Sequence, residues 1–304
     1  MKKYLLYILL FFAFAAIIDR GFGHVCRHLA ADAKGGTTYH YNYIANKTSE
    51  DIILMGSSRM CRHYNPQILE DSLGMSVYNT GIKGNGIILN YGLLELIVGR
   101  YSPKLIVYDV FAFDMYDDSR FADDNVRYLD NLKDYYDVPA IREIFEDVNP
   151  SEKWKLYSQM YRYNSKLPRI LGDRFHPTEK YNKGYNPYYG TMDYVKEEDD
   201  RNDLGSVDSL KLKYVRKFIE LAKEKDITLI FSASPRFGAV PDNRYNDPIK
   251  AICREMGVPF IDYYADPEFT SNTEYFHDSN HLNNVGSDVF TRKFIKEIRN
   301  NLSI

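Results

Sequence analysis

The chain has 304 residues, 44% of them hydrophobic and 27% charged, which is enough apolar material for one α/β core with an insertion, or for two small domains, and too much for a disordered chain. A net charge of −3 leaves no basic footprint, so nucleic acid is not expected as a partner. The three cysteines, Cys26, Cys61 and Cys253, are an odd number without ligand spacing and define neither a zinc site nor a disulfide framework.

Met1-Lys2-Lys3 precedes an apolar run from Tyr4 to Ile18. Charge followed by about fifteen apolar residues is the pattern of an export signal or a short anchor. Ala13-Phe14-Ala15 has the small-x-small form of a cleavage site, but it lies inside the run, so an uncleaved signal-anchor over 1–20 is the favoured reading. Two lysines on the inner side draw the following domain out of the cytoplasm, placing it in the periplasm or at the cell exterior. A buried N-terminal helix is the rival, opposed by a stretch that is apolar on all sides. Residues 21–48 contain Ala33-Lys34-Gly35-Gly36 and little periodicity, which predicts a short helix and then a linker, with a catalytic domain over 49–304.

From residue 49 onward, β-competent apolar runs alternate with helical patterns. The expected elements are strand 51–56, helix 66–73, strand 76–79, helix 86–99, strand 105–110, helix 207–225, strand 228–232, helix 246–256, strand 258–262 and helix 285–300. Such alternation predicts a three-layer α/β fold with a mostly parallel, flavodoxin-like sheet. Residues 112–206 interrupt the rhythm with a segment rich in Tyr, Asp and Asn. Its length predicts helices of its own, forming an insertion or lid over the site. Its tyrosines suit sugar stacking or an acyl pocket, and equally a half-buried surface; the acidic run Glu197-Glu198-Asp199-Asp200 reads as a solvated turn.

Two short segments carry the chemistry. Ile52-Ile53-Leu54-Met55 runs into Gly56-Ser57-Ser58-Arg59, which predicts a buried strand delivering Ser58 to the carboxyl edge of the sheet, where open α/β sheets bind ligands. Near the other end stands Asp278-Ser279-Asn280-His281. A serine hydroxyl needs an imidazole to take its proton, and the imidazole needs a partner that fixes its tautomer. Ser58, His281 and Asp278 are therefore nucleophile, base and orienting carboxylate. Three rivals stay open: Ser58 as a helix N-cap, Ser57 as the nucleophile, and His281 as a satisfied surface histidine. Cys61, one turn after Ser58, reads as a small buried side chain. Arg59 and Arg236, on loops at the same edge, suit an anionic substrate group or an ordinary salt bridge. His63 and His176 lack a comparable context.

The Gly-Ser-Ser block, the Asp-x-x-His block followed by Leu282-Asn283 and Val285-Gly286, and the chain order Ser, Asp, His resemble the SGNH or GDSL-type serine hydrolases over roughly residues 50–300. The resemblance implies an oxyanion donor at the glycine after the second strand, here Gly81 in Val77-Tyr78-Asn79-Thr80-Gly81, beside the Ser58 amide. The family's third block, Gly-x-Asn-Asp after the third strand, is missing: Leu105-Ile106-Val107-Tyr108-Asp109-Val110 runs into Phe111-Ala112-Phe113-Asp114. Asn85, in Gly84-Asn85-Gly86, is the substitute candidate, although Asn between glycines is also what a tight turn selects. The resemblance further implies an esterase or O-acyltransferase acting on O-acyl groups of envelope or extracellular polysaccharide, with neither metal nor organic cofactor. The alternative is a catalytically weak carbohydrate-binding or envelope-assembly protein on the same fold. A nucleotide or phosphoryl enzyme is disfavoured, since no Gly-rich loop with Lys follows the first strand.

Overall fold

A computed structural model describes residues 2–111, 114–116, 129–177, 182–192, 205–241 and 244–302. The chain divides into two compact units, residues 1–43 with 129–180 and residues 44–128 with 181–304.

In the second unit, strands β1 (Ile52–Gly56), β2 (Val77–Asn79), β3 (Leu105–Asp109), β4 (Thr228–Ala233) and β5 (Phe260–Asp262) form one sheet in the order β2-β1-β3-β4-β5. All four pairings are parallel, giving the flavodoxin-like strand order. Because side chains alternate across a strand, Ile52, Leu54, Leu105, Val107 and Ile230 share one face. Helices α3 (Ser58–His63), α4 (Pro66–Leu73) and α11 (Asn284–Leu302) cover it through Met60, Ile68, Leu69, Phe290, Phe294 and Ile298. On the other face Tyr108 and Phe231 meet Phe218 of α9 (Ser209–Glu224), which packs on α5 (Ile87–Val98) and α10 (Asp247–Glu255). Two aromatic-rich apolar layers therefore hold the sheet, each large buried side chain contributing roughly 1.5–3 kcal/mol.

Local signals set the helix ends. Asn65 accepts from the Gln67 amide, Pro66 takes the first helical position and Gly74 closes α4 in a left-handed conformation; Asp208 accepts from the Leu210 and Lys211 amides to start α9. The predicted strands and helices of this unit agree with the observed ones to within a few residues. Sequence reading did not anticipate the one-and-a-half-turn α3 or the hairpin of β6 (Phe276–Asp278) and β7 (His281–Leu282).

In the first unit, the expected linker over 21–48 is helical instead. Helix α1 (Lys2–Ala31) continues through it and α2 (Gly36–Asn46) follows. The cause is tertiary: Cys26 and Ala30 are buried against Tyr163 and Ile170, which carries the helix past Asp19-Arg20, and Gly35-Gly36 only marks the break before α2. The insertion has helices of its own, α6 (Pro139–Val148), α7 (Gln159–Tyr163) and α8 (Leu167–Phe175), and α1 packs against α7 and α8. Asp19 fastens α1 to the start of α7, accepting from the amides of Gln159 and Met160 at 2.9 Å and from Ser158 Oγ at 2.6 Å. Before Asp19 the apolar residues of α1 are exposed. By length and composition α1 is long and apolar enough to cross a membrane. The acidic run at 197–200 lies outside the described residues, whereas residues 182–192 of the insertion belong to the second unit.

Candidate active site

The parallel register puts the ends of β1, β3 and β4 side by side, with Gly56 beside Asp109 and Asp109 beside Ser232. Gly56 has φ +151°, and a Cβ there would lie 2.8 Å from the Asp109 carbonyl oxygen. Only glycine lets β1 turn so close to β3. The chain then enters α3, where Ser57 takes the N-cap position without making a side-chain capping bond and Ser58 is the first helical residue.

Ser58 Oγ lies 2.8 Å from His281 Nε2. His281 Nδ1 lies 2.9 and 3.0 Å from the two Asp278 carboxylate oxygens. The same carboxylate accepts from the Asn280 and His281 amides at 2.9 Å each, so the four-residue turn folds around its own acid. Burial pushes the Asp278 carboxyl up, but its bond and charge interaction with His281 and the two amide donors outweigh this and hold it below the ordinary carboxylate value. Asp278 thus stays ionised and keeps the Nδ1 proton of His281 in place, leaving Nε2 free to accept from Ser58. The structure joins Ser58, rather than Ser57, to His281.

The loop after β2 is laid against the end of β1, with the Ile82 amide donating to the Gly56 carbonyl at 3.3 Å and the Asn85 amide to that of Ile82 at 3.1 Å. Asn85 is 2% exposed. Gly81 departs from the expected role as an amide donor, because its N–H donates to Asn79 Oδ1 at 2.9 Å. Asn79 also donates to the Met60 and Tyr64 carbonyls, so it staples the loop to α3. What requires glycine at 81 is space: a Cβ would lie 2.5 Å from the Cys61 amide nitrogen. Cys61 is buried and its Sγ lies 3.2 Å from the Ser58 carbonyl.

Neither arginine meets the expectation of a substrate ligand. Arg59 is 1% exposed; it donates to Ser234 Oγ, to the Ser234 carbonyl and to the Pro235 carbonyl, and its Nε lies 3.6 Å from Asp109. Arg236 is also buried, and its Nε donates to Asn280 Oδ1 at 3.1 Å, bracing the turn that carries Asp278 and His281. Arg59 points inward to the buried Ser234, whose oxygens would otherwise lack part of their hydrogen bonding.

Sequence reasoning missed two neighbours of the site, Tyr188 and His63. Tyr188 meets the His281 ring edge-on with centroids 5.6 Å apart. It is stacked between the His277 ring at 4.2 Å and the Arg62 guanidinium at 3.4 Å, and its carbonyl accepts from the Asn284 amide. His63 is buried beside His281, and Ser234 links it to Asp109. Burial pushes the Asp109 carboxyl up, opposed by the Arg59 charge and by bonds from Tyr64 and Ser234. No spacing marks these residues in the sequence; the positions of Tyr188 and His63 become visible only once β7 and α3 are placed.

No family profile matches the chain, and no curated protein matches it. Among solved structures, it is similar to a protein assigned as an acylhydrolase from Bacteroides fragilis, at 15% identity over 88% of this chain and 97% of that one, TM-score 0.45. It is similar to a GDSL-like lipase from Bacteroides thetaiotaomicron, at 13% identity over 91% and 98%, TM-score 0.40. It is similar to an acetylxylan esterase from Geobacillus stearothermophilus, at 14% identity over 83% and 94%, TM-score 0.42.

Proposed function

We propose that the protein is a serine esterase or O-acyltransferase of the SGNH type that works through an acyl-Ser58 intermediate. The observation that carries this reading is the unbroken chain from Ser58 Oγ through both nitrogens of His281 to the Asp278 carboxylate. His281 removes the Ser58 proton as Oγ attacks an ester carbonyl, then returns it to the leaving alcohol. Asp278 fixes the tautomer and offsets the imidazolium charge. A water or an acceptor hydroxyl, deprotonated in turn by His281, releases the acyl group. The Ser58 amide and the Asn85 side chain are the proposed donors to the oxyanion, with the Gly81 amide contributing only if it leaves Asn79.

Helix α1 serves in this proposal as an uncleaved anchor that holds the catalytic unit outside the cytoplasm, with O-acyl groups of envelope or extracellular polysaccharide as substrate class. The bonds from Asp19 to α7 support it, since they make α1 part of a folded unit rather than a detachable leader. A reporter fused after Ile304, read by fractionation, tests the placement.

The hydrolase reading is tested by reacting the full chain in detergent with a fluorophosphonate and an aryl acetate. Ser58→Ala and His281→Ala should each remove nearly all turnover, and the double variant should lose little more. Labelling that persists in Ser58→Ala would refute the assignment. The commitment of the Gly81 amide to Asn79 favours a second reading, a weakly catalytic carbohydrate-binding protein, which would bind without being labelled.

A further inference from the structure

His63 is one of the most enclosed side chains in the second unit, 0% exposed, and the catalytic chain of bonds does not include it. Its Nε2 lies 2.9 Å from the Leu282 amide nitrogen, and its Nδ1 lies 2.9 Å from Ser234 Oγ. An amide N–H can only donate, so Nε2 must accept and the ring proton must sit on Nδ1, directed at Ser234. Ser234 Oγ in turn donates to Asp109 Oδ2 at 3.0 Å. The order from acid to backbone is therefore Asp109, Ser234, His63, Leu282.

Leu282 follows His281 on β7, a strand of two residues that β6 holds on one side only. Two residues are too few to fix a side chain by sheet pairing alone. The opposite side is held by His63, whose backbone is tied down as well: Thr291 Oγ1 donates to the His63 carbonyl at 3.2 Å. The rings of His63 and His281 stand at 87° with centroids 6.3 Å apart.

We infer that His63 is a positioning residue which, as a neutral imidazole, clamps the Leu282 amide and so aims His281 Nε2 at Ser58. This rests on the hydrolase reading of the site. The neutral form is essential. A proton on Nε2 would turn the acceptor into a donor facing the Leu282 N–H, and would set a second positive charge beside the imidazolium that forms on His281 during acyl transfer. The surroundings keep the ring neutral: it is enclosed, Arg59 and Arg62 lie on its own helix, His281 faces it from β7, and Asp109 is reached only through Ser234. Burial, then the Arg59, His281 and Arg62 charges, hold its pKa well below the ordinary histidine value, against a smaller opposing contact with the Asn280 backbone.

Two substitutions separate the two ends of the ring. In His63→Gln the side-chain oxygen reaches the place of Nε2 and keeps the acceptor for Leu282; in His63→Asn the shorter amide keeps only the donor to Ser234. With the full chain in detergent and an aryl acetate, His63→Asn should lower kcat by roughly tenfold to a hundredfold with KM little changed, as expected for a base moved by a fraction of an ångström. His63→Gln should restore most of kcat. Fluorophosphonate labelling of Ser58 should follow the same order, and nitrogen-15 spectra of histidine-labelled wild type should show the Nδ1-protonated neutral ring at pH 6–8. Wild-type kcat in His63→Asn, a loss in His63→Gln as deep as in His63→Asn, or an Nε2-protonated ring would each overturn the inference while leaving the hydrolase reading intact. A wild-type protein that neither labels nor turns over would overturn both.

Discussion

Acid should weaken the second unit through His63, by an amount that follows from its burial. In the unfolded chain the imidazole titrates near its ordinary value of 6.5, whereas in the fold it resists protonation far below that, because burial and the Arg59, His281 and Arg62 charges oppose a proton. The unfolded state therefore binds more protons below pH 6.5, and stability falls as pH falls through that value, continuing until the folded ring itself titrates. While the folded ring stays neutral, the loss depends only on the unfolded titration. Between pH 7.5 and 5.5 it comes to about 1.4 kcal/mol. His63→Gln removes the titrating group and retains the bond to Leu282, so it should lack this part of the pH dependence. Asp278, held below the ordinary carboxylate value, loses its contribution only at lower pH, and that contribution is common to both proteins. The assay is the urea midpoint of the full chain in detergent at the two pH values, converted with the measured slope. Wild type should lose about 1.4 kcal/mol more than His63→Gln on acidification. Equal losses in the two proteins would show that the folded ring accepts a proton near its ordinary value, and the neutral clamp would fail with it.

Three further substitutions probe the site. Arg59→Met leaves the Asp109 carboxylate buried without its cationic partner and should lower stability by about 3–5 kcal/mol in a denaturant titration; a substrate-binding Arg59 would instead raise KM in a stable protein. Gly81→Ala brings a Cβ to 2.5 Å from the Cys61 amide nitrogen, so it should cost about 1–3 kcal/mol and slow fluorophosphonate labelling of Ser58, whereas wild-type melting would mean that the loop and α3 separate freely. Asn85→Ala should lower kcat by roughly a hundredfold with KM little changed if its side chain holds the oxyanion, and should act mainly on the melting temperature if it only shapes the turn.

What the sequence revealed and what it concealed follow from how far each signal reaches along the chain. The sheet was legible because its central strands are runs such as Ile52-Ile53-Leu54-Met55 and Leu105-Ile106-Val107, apolar on both faces as a covered parallel strand must be. Asp278 and His281 were legible because an acid and a base three residues apart can satisfy each other within one turn, and the observed bonds lie inside that turn. Arg59 and Arg236 stayed open between a substrate ligand and an ordinary salt bridge because loop position suggests exposure, while their acceptors, Ser234 and Asn280, lie 175 and 44 residues away in the chain. The same distance hid His63, whose partners Ser234 and Leu282 are 171 and 219 residues off. The helical path of residues 21–48 was concealed for a related reason, since burial of Cys26 and Ala30 depends on Tyr163 and Ile170, and no local propensity reports it. In the proposed site Ser58 follows a strand signal and Asp278 and His281 share one turn, so residue type and local pattern are enough to mark all three. Arg59, His63, Asp109 and Ser234 are ordinary in type and their partners lie far off in the chain, so the buried polar cluster they form behind Ser58 and His281, at the ends of β1, β3 and β4, becomes readable only in the fold.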